Sequence, residues 1–127
     1  MSENPIGVIY TAEEANQQFG DVSSSIQISA TQLKDFMDQT ENYLMFKIIS
    51  GVLYVLGDER SVLEPDQGYV DPDVIFTVYS KSKVDELIDT GGEETNLVEI
   101  RNNLLTITNG QFTLENGGWC PPLCGEE

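Results

Sequence analysis

The two cysteines of this 127-residue chain stand near its end, in Trp119-Cys120-Pro121-Pro122-Leu123-Cys124. Thiols so spaced can close a small disulfide ring, hold a soft ion such as Cu(I) or Zn(II), or cycle between dithiol and disulfide. Cycling needs a thiolate stabilised at a helix N-terminus. Three residues separate the sulfurs, one more than in the Cys-X-X-Cys oxidoreductases, and only three follow Cys124, so no helix dipole can act there. A metal would need further ligands from elsewhere in the fold or from a second chain. Cys120 and Cys124 are therefore candidates for a metal pair or a local disulfide, although a reducing cytosol disfavours a permanent bridge. Gly117-Gly118 also fits a double-glycine cleavage point, but what precedes it reads as a compact domain rather than a leader. The simplest expectation is a mobile tail with Trp119 resting on the domain.

Carboxylates are the other abundant group: 22 Asp and Glu face six Lys and Arg, for a net charge of −16, and there is no histidine. Without histidine the commonest general base is missing, as are the Ser-His and Cys-His nucleophile pairs. A two- or three-histidine metal site is likewise excluded. Gly91-Gly92 is followed by Glu93-Glu94, which would repel an anion, so it is no phosphate loop. Neither an enzyme nor a bound cofactor is expected. Glu64, Asp66, Asp71 and Asp73 gather in one loop, yet Asp66-Gln67-Gly68 breaks the alternating oxygen ladder of an EF-hand. A solvated acidic loop is the plainer account.

The densest acids are Asp58, Glu59, Glu64, Asp66, Asp71, Asp73, Asp85, Glu86, Asp89, Glu93, Glu94 and Glu99, the candidate partner-binding residues. A surface of this sign repels nucleic acid and anionic lipid and attracts basic partners. Carboxylates can stand where phosphates would, as in inhibitors of nucleic-acid enzymes or immunity proteins, and complementary charge speeds association. The expected function is a non-enzymatic acidic binding domain for a macromolecular, basic protein partner, in an inhibitor, immunity or adaptor-type role. The alternative is a small-molecule or metal-binding protein using a cleft between the halves or the Cys120/Cys124 pair. MSENPIGVIY lacks the basic-then-apolar order of a secretory signal, and no run approaches the ~18 apolar residues of a membrane span. A cytoplasmic protein, touching neither membrane nor nucleic acid directly, is expected; oligomeric state is left open.

The elements that must position these groups show an internal likeness. ISATQLKDFMDQ (28–39) lies over YSKSKVDELIDT (79–90), with Ser29 on Ser80, Leu33 on Val84, Phe36 on Leu87, Met37 on Ile88 and Asp38 on Asp89. Apolar residues at i, i+3 and i+4 make each a short amphipathic helix. Ser29 with Gln32 fits a capping box, Ser82 with Asp85 a lesser one, and Gly91-Gly92 can stop the second helix. A hairpin follows each helix, turning at Ser50-Gly51 and at Asn102-Asn103. A third strand comes next, Arg60–Leu63 after Asp58-Glu59 and Gln111–Leu114 after Asn109-Gly110. Val98 and Ile100 alternate with Glu99 and Arg101, the period of a half-buried strand. Short strands at Ser25–Ile28 and Val74–Val78 precede the helices.

The expected fold is α+β: two tandem β-α-β-β-β repeats forming one domain, preceded by a short strand (Gly7–Tyr10) and a helix. That helix starts on a capping box of Thr11 with Glu14 and ends at Gly20. Residues 1–24 form the arm, with Ser23-Ser24-Ser25 as connector. Residues 25–63 and 74–115 form the repeats, 64–73 an acidic linker and 116–127 the cysteine-containing tail. This module order over 25–115 resembles a single domain of the DNA sliding clamps, and also the vicinal oxygen chelate superfamily. The clamp resemblance implies helices turned toward DNA, but here they carry Asp35, Asp38, Asp85, Glu86 and Asp89 against Lys34, Lys81 and Lys83, ill-suited to a phosphate backbone. The chelate resemblance implies a metal commonly held by histidine and glutamate. With no histidine, it leaves a metal-free ligand-sequestering protein.

Overall fold

Two of the three α-helices among the described residues begin on reciprocal side-chain caps. In α1 (Ala12–Phe19) the Thr11 hydroxyl accepts from the Glu14 amide at 3.1 Å, and the Glu14 carboxylate accepts from the Thr11 amide at 3.0 Å. In α2 (Ala30–Met37) Ser29 and Gln32 do the same at 3.0 and 3.2 Å. Each box satisfies amides that the first helical turn leaves without a partner. Ser29→Ala should therefore cost about 1 kcal/mol in a urea melt; an unchanged midpoint would show that packing alone holds α2. The third helix, α3 (Lys81–Gly91), departs from expectation. Its N-cap is Ser80 rather than Ser82, and no side chain caps it. The Ser80 hydroxyl instead accepts from the Ile6 amide at 2.7 Å, a long-range tie that displaces the local one. The helix ends where Gly92 turns left-handed (φ 75°) and sends its N–H to Ile88 O at 2.9 Å.

The computed structural model describes residues 6–64, 74–102, 104–115 and 117–120. Asp66, Asp71, Asp73 and Cys124 lie outside them. Ten strands are described: β1 (Val8–Thr11), β2 (Ser24–Ser29), β3 (Tyr43–Ile49), β4 (Val52–Leu56), β5 (Val62–Glu64), β6 (Phe76–Ser80), β7 (Thr95–Arg101), β8 (Leu104–Asn109), β9 (Phe112–Glu115) and β10 (Gly118–Cys120). They form two antiparallel five-stranded sheets, ordered β1-β9-β8-β7-β2 and β10-β6-β3-β4-β5. The class is α+β. Each meander is completed by a strand from the other half of the chain, β2 beside β7 and β6 beside β3. Neither sheet can be assembled from one half alone.

Turn chemistry explains most of the register. Ser50 (φ 52°) and Gly51 (φ 79°) form the two-residue loop that pairs Ile49 with Val52. Asn102 (φ 47°) starts the loop that pairs Arg101 with Leu104. Several expectations shift. Asn109 is the last residue of β8, facing Phe112, so the tight turn is Gly110-Gln111 rather than Asn109-Gly110. Asp58–Arg60 form a 3-10 turn, and the strand expected at Arg60–Leu63 is Val62–Glu64. Ser24 and Ser25 belong to β2, and residues 118–120 form an edge strand on β6 rather than a free tail.

Helices α2 and α3 share the main core with residues of both sheets, whereas α1 lies on the other face of the first sheet. Leu33, Phe36 and Met37 of α2 and Val84, Leu87 and Ile88 of α3 meet Ile28, Leu44, Phe46, Val55, Tyr79, Val98, Leu105, Ile107 and Leu114 from the inner sheet faces. Each such side chain removed from water contributes roughly 1.5–3 kcal/mol. The Tyr79 hydroxyl reaches Leu105 O at 2.6 Å, so the ring's one polar atom is satisfied inside the core. A second cluster, Tyr43, Met45, Leu56, Phe76 and Val78, occupies the outer face of the β3–β6 sheet.

Candidate functional site

The outward faces of α2 and α3 carry the exposed acids Asp35, Asp38, Asp85, Glu86 and Asp89, with Glu93 and Glu94 just beyond α3. The two helices touch, because both bury their apolar stripe in one core. Between the C-terminal end of α2 and the start of α3 lies a groove of about 710 Å³. Its walls carry Lys34, Asp38, Glu41 and Asp85, and Met37 and Tyr43 supply apolar surface. Lys81 also lines it, but its ammonium donates to Thr40 O at 3.0 Å and is partly committed. Four of the six cations are engaged in this way: Lys81, Lys83 with Glu86 at 3.1 Å, Arg60 5.3 Å over the Phe76 ring, and the buried Arg101. Among the described residues the acids of this face outnumber the cations that could oppose them.

Not every expected acid is available to a partner. Asp58 is half-buried, and its carboxylate accepts from the amides of Glu41, Asn42 and Tyr43 at 3.3, 3.1 and 3.0 Å, pinning the entry to β3. Three backbone donors make it a structural cap, not a docking group. Glu59 lies in the 3-10 turn, and Glu64 is exposed in β5. Glu94 is exposed yet bonded to the Thr31 hydroxyl (2.8 Å) and amide (3.1 Å) at the start of α2. Those donors, helped by Lys34, hold its carboxyl below the ordinary range despite a small opposing effect of burial. Cys120 pairs through its backbone with Phe76 in β10.

Glu99 is the clearest correction, for it is buried and not on the surface. The strand alternation predicts a Glu99 and Arg101 face open to water. Instead α1 covers it: Ala15 is fully buried, Phe19 packs edge-on against Tyr10 at 5.4 Å, and Arg101 bonds Asn16 Oδ1 and Gly20 O. Beneath α1 the guanidinium meets the Glu99 carboxylate at 2.9 Å, and Thr108 donates to the same oxygen at 2.7 Å. Glu115, 1% exposed, completes the cluster from β9, its Oε2 3.7 Å from Arg101 Nε. That distance is within Coulombic reach but too long for a hydrogen bond, and among the described residues nothing donates to this oxygen.

Loss of hydration pushes the Glu115 carboxyl up to about 7; Arg101 opposes the rise and Glu99 adds to it. Burial and then the charge of Glu115 raise the Tyr79 phenol as well. Because folded Glu115 keeps its proton above the pH at which the unfolded chain loses it, its contribution to stability is fully present below about 4.5. It declines as pH rises toward about 7.

Sequence spacing points to only part of this cluster. Glu99 and Arg101, two apart on a strand, must share a face, which hints at a pair; Glu115 gives no local signal. Among the described residues no three acidic or cysteine side chains gather as a metal site, and no helix is long and apolar enough to cross a membrane. No family model matches this chain, and no curated protein or solved structure is significantly similar to it.

Proposed function

We propose that the chain is a non-enzymatic binding module whose acidic α2/α3 face receives a basic protein partner. The observation that carries this is the groove between the helices, walled by Asp38, Glu41 and Asp85 in a molecule of net charge −16. A lysine or arginine from the partner would lay its aliphatic stem on Met37 and Tyr43 and place its charge among the carboxylates. An inhibitor, immunity or adaptor-type role fits such recognition, and the same charge disfavours direct contact with nucleic acid or anionic lipid. The test compares the chain with Asp38→Asn/Glu41→Gln/Asp85→Asn. A charge-matched control, Glu13→Gln/Asp21→Asn/Glu64→Gln, lies away from the groove. The basic protein retained from lysate should release as salt rises through about 0.5 M, where screening is short-ranged. Its affinity should drop roughly tenfold or more, at least 1.4 kcal/mol, in the groove variant alone. Equal loss in both variants would reduce the effect to bulk charge and sink the proposal.

A small-molecule role has one supporting observation, the size of the same groove. A volume of about 710 Å³ lies within the range that holds compact organic ligands. Such a ligand would raise the melting temperature in high salt, where the protein partner would not.

A further inference from the structure

Arg101 is shared between two claimants. One is the arm: its guanidinium bonds Asn16 Oδ1 within α1 and Gly20 O at 3.1 Å just after it. The other is the sheet, where Glu99 takes one nitrogen at 2.9 Å and Glu115 waits 3.7 Å from Nε with an oxygen that nothing described satisfies. A planar guanidinium cannot improve its contact with Glu115 without giving up geometry toward α1. Two carboxylates and one buried cation also leave an unbalanced negative charge whenever both acids are ionised, an arrangement that is costly in a dry site.

We propose that Arg101 is a proton-controlled latch for the N-terminal arm. With Glu115 protonated the guanidinium holds α1 down. When Glu115 releases its proton to solvent, the new carboxylate draws the guanidinium toward β9 and α1 loosens. Few charged groups face Glu115. Around it, β7 contributes Glu99 and Arg101. Thr106 and Thr108 of β8 and Thr113 of β9 share the face without a charge to contribute. Tyr10 of β1 lies against Phe19, and Tyr79 of β6 lies on the far side of the sheet, bonded to backbone carbonyls. Glu13 and Glu14 of α1 and Asp21 beyond it are exposed, and Glu14 is committed to its own cap. Burial places the Glu115 transition near neutral pH. With no histidine in the chain, no other side chain ordinarily titrates between about pH 5.5 and 7.5.

The absence of histidine makes the experiment clean. Amide shifts and hydrogen exchange of 12–20 are followed by NMR from about pH 5.5 to 8.5, with exchange corrected for intrinsic base catalysis. Wild type should show an inflection near neutral pH and lose roughly tenfold in protection across it, the effect of about one unit of coupling. Glu115→Gln should keep α1 protected throughout with no inflection. Asn16→Ala, which removes the arm's side of the latch, should leave α1 poorly protected at every pH. Flat protection in wild type, or an inflection that survives in Glu115→Gln and so belongs to the α-amino group or a thiol, would overturn the proposal.

Discussion

Arg101→Met is expected to cost about 3–5 kcal/mol at pH 8, the range for stripping the partner from a buried charge, out of a total of about 5–15 kcal/mol for a domain of this kind. Arg101 is 2% exposed, and its guanidinium reaches Glu99, Glu115, Thr106, Asn16 and Gly20 within the protein. Methionine can fill much of the volume but leaves Glu99 and Glu115 facing one another without a cation. Without the cation that opposes the rise, the Glu115 carboxyl would hold its proton in the folded state still further above the pH at which the unfolded chain gives it up. By linkage the penalty must grow as pH rises, so the variant should be least impaired near pH 5. Urea melts at the two pH values read this directly. Adding Glu99→Gln and Glu115→Gln should recover most of the loss. The neutral amides remove the buried charge, and the new side-chain carbonyl at position 99 can still accept from Thr108. A single variant within about 1 kcal/mol of wild type at pH 8, or a triple variant no better than it, would mean that water reaches the cluster and the ion pairs are not dry.

Local chemistry was legible wherever the deciding interactions were local. Thr11 with Glu14 and Ser29 with Gln32 are three residues apart, so their caps can be read from spacing, as can the Ser50-Gly51 turn. What failed was decided by distant chain. Ser80 leaves α3 without a side-chain cap because Ile6 claims its hydroxyl from 74 residues away. Glu99 reads as a surface acid because nothing near it in sequence announces that α1 will lie over its strand. The same cover accounts for Arg101, Thr106, Thr108 and Glu115, which on an open sheet would be ordinary solvent-facing residues. The acidity of α2 and α3 was plain in the sequence. That Asp38, Glu41 and Asp85 share one groove was not, because it depends on how two helices from separate halves of the chain are laid side by side.

Gly91→Ala is expected to destabilise by about 2–4 kcal/mol, although helix propensity alone would favour alanine by about 1 kcal/mol at that position. Gly91 is the last residue of α3, where the helix end presses on the β8–β9 hairpin. A methyl group there would overlap both Asn109 Oδ1 and Asn109 O, far inside van der Waals contact. The side-chain atom is not free to swing aside. Asn109 is fully buried, its Oδ1 accepting from the Glu93 amide at 2.9 Å and its Nδ2 donating to Glu93 O at 2.9 Å and Asn96 Oδ1 at 2.7 Å. Asn96 in turn reaches Ile28 O at 3.3 Å, so the same amides tie α3 to β7, β8 and β2. The backbone oxygen is no freer, because Asn109 is paired with Asn96 and Phe112 on its two sides. Alanine must therefore push the helix end off the hairpin and break buried amide contacts worth about 1 kcal/mol or more each. Gly92→Ala supplies the comparison: its methyl would meet open space, so only the left-handed backbone (φ 75°) is penalised, by about 1–2 kcal/mol. Propensity and cap statistics rank Gly92 as the residue that must stay glycine, whereas the packing around Asn109 ranks Gly91 first. Denaturant melts of the two variants decide between these orders. If Gly91→Ala proves the milder change, the hairpin can yield at its tip and Asn109 is not the fixed hub that its hydrogen bonds describe.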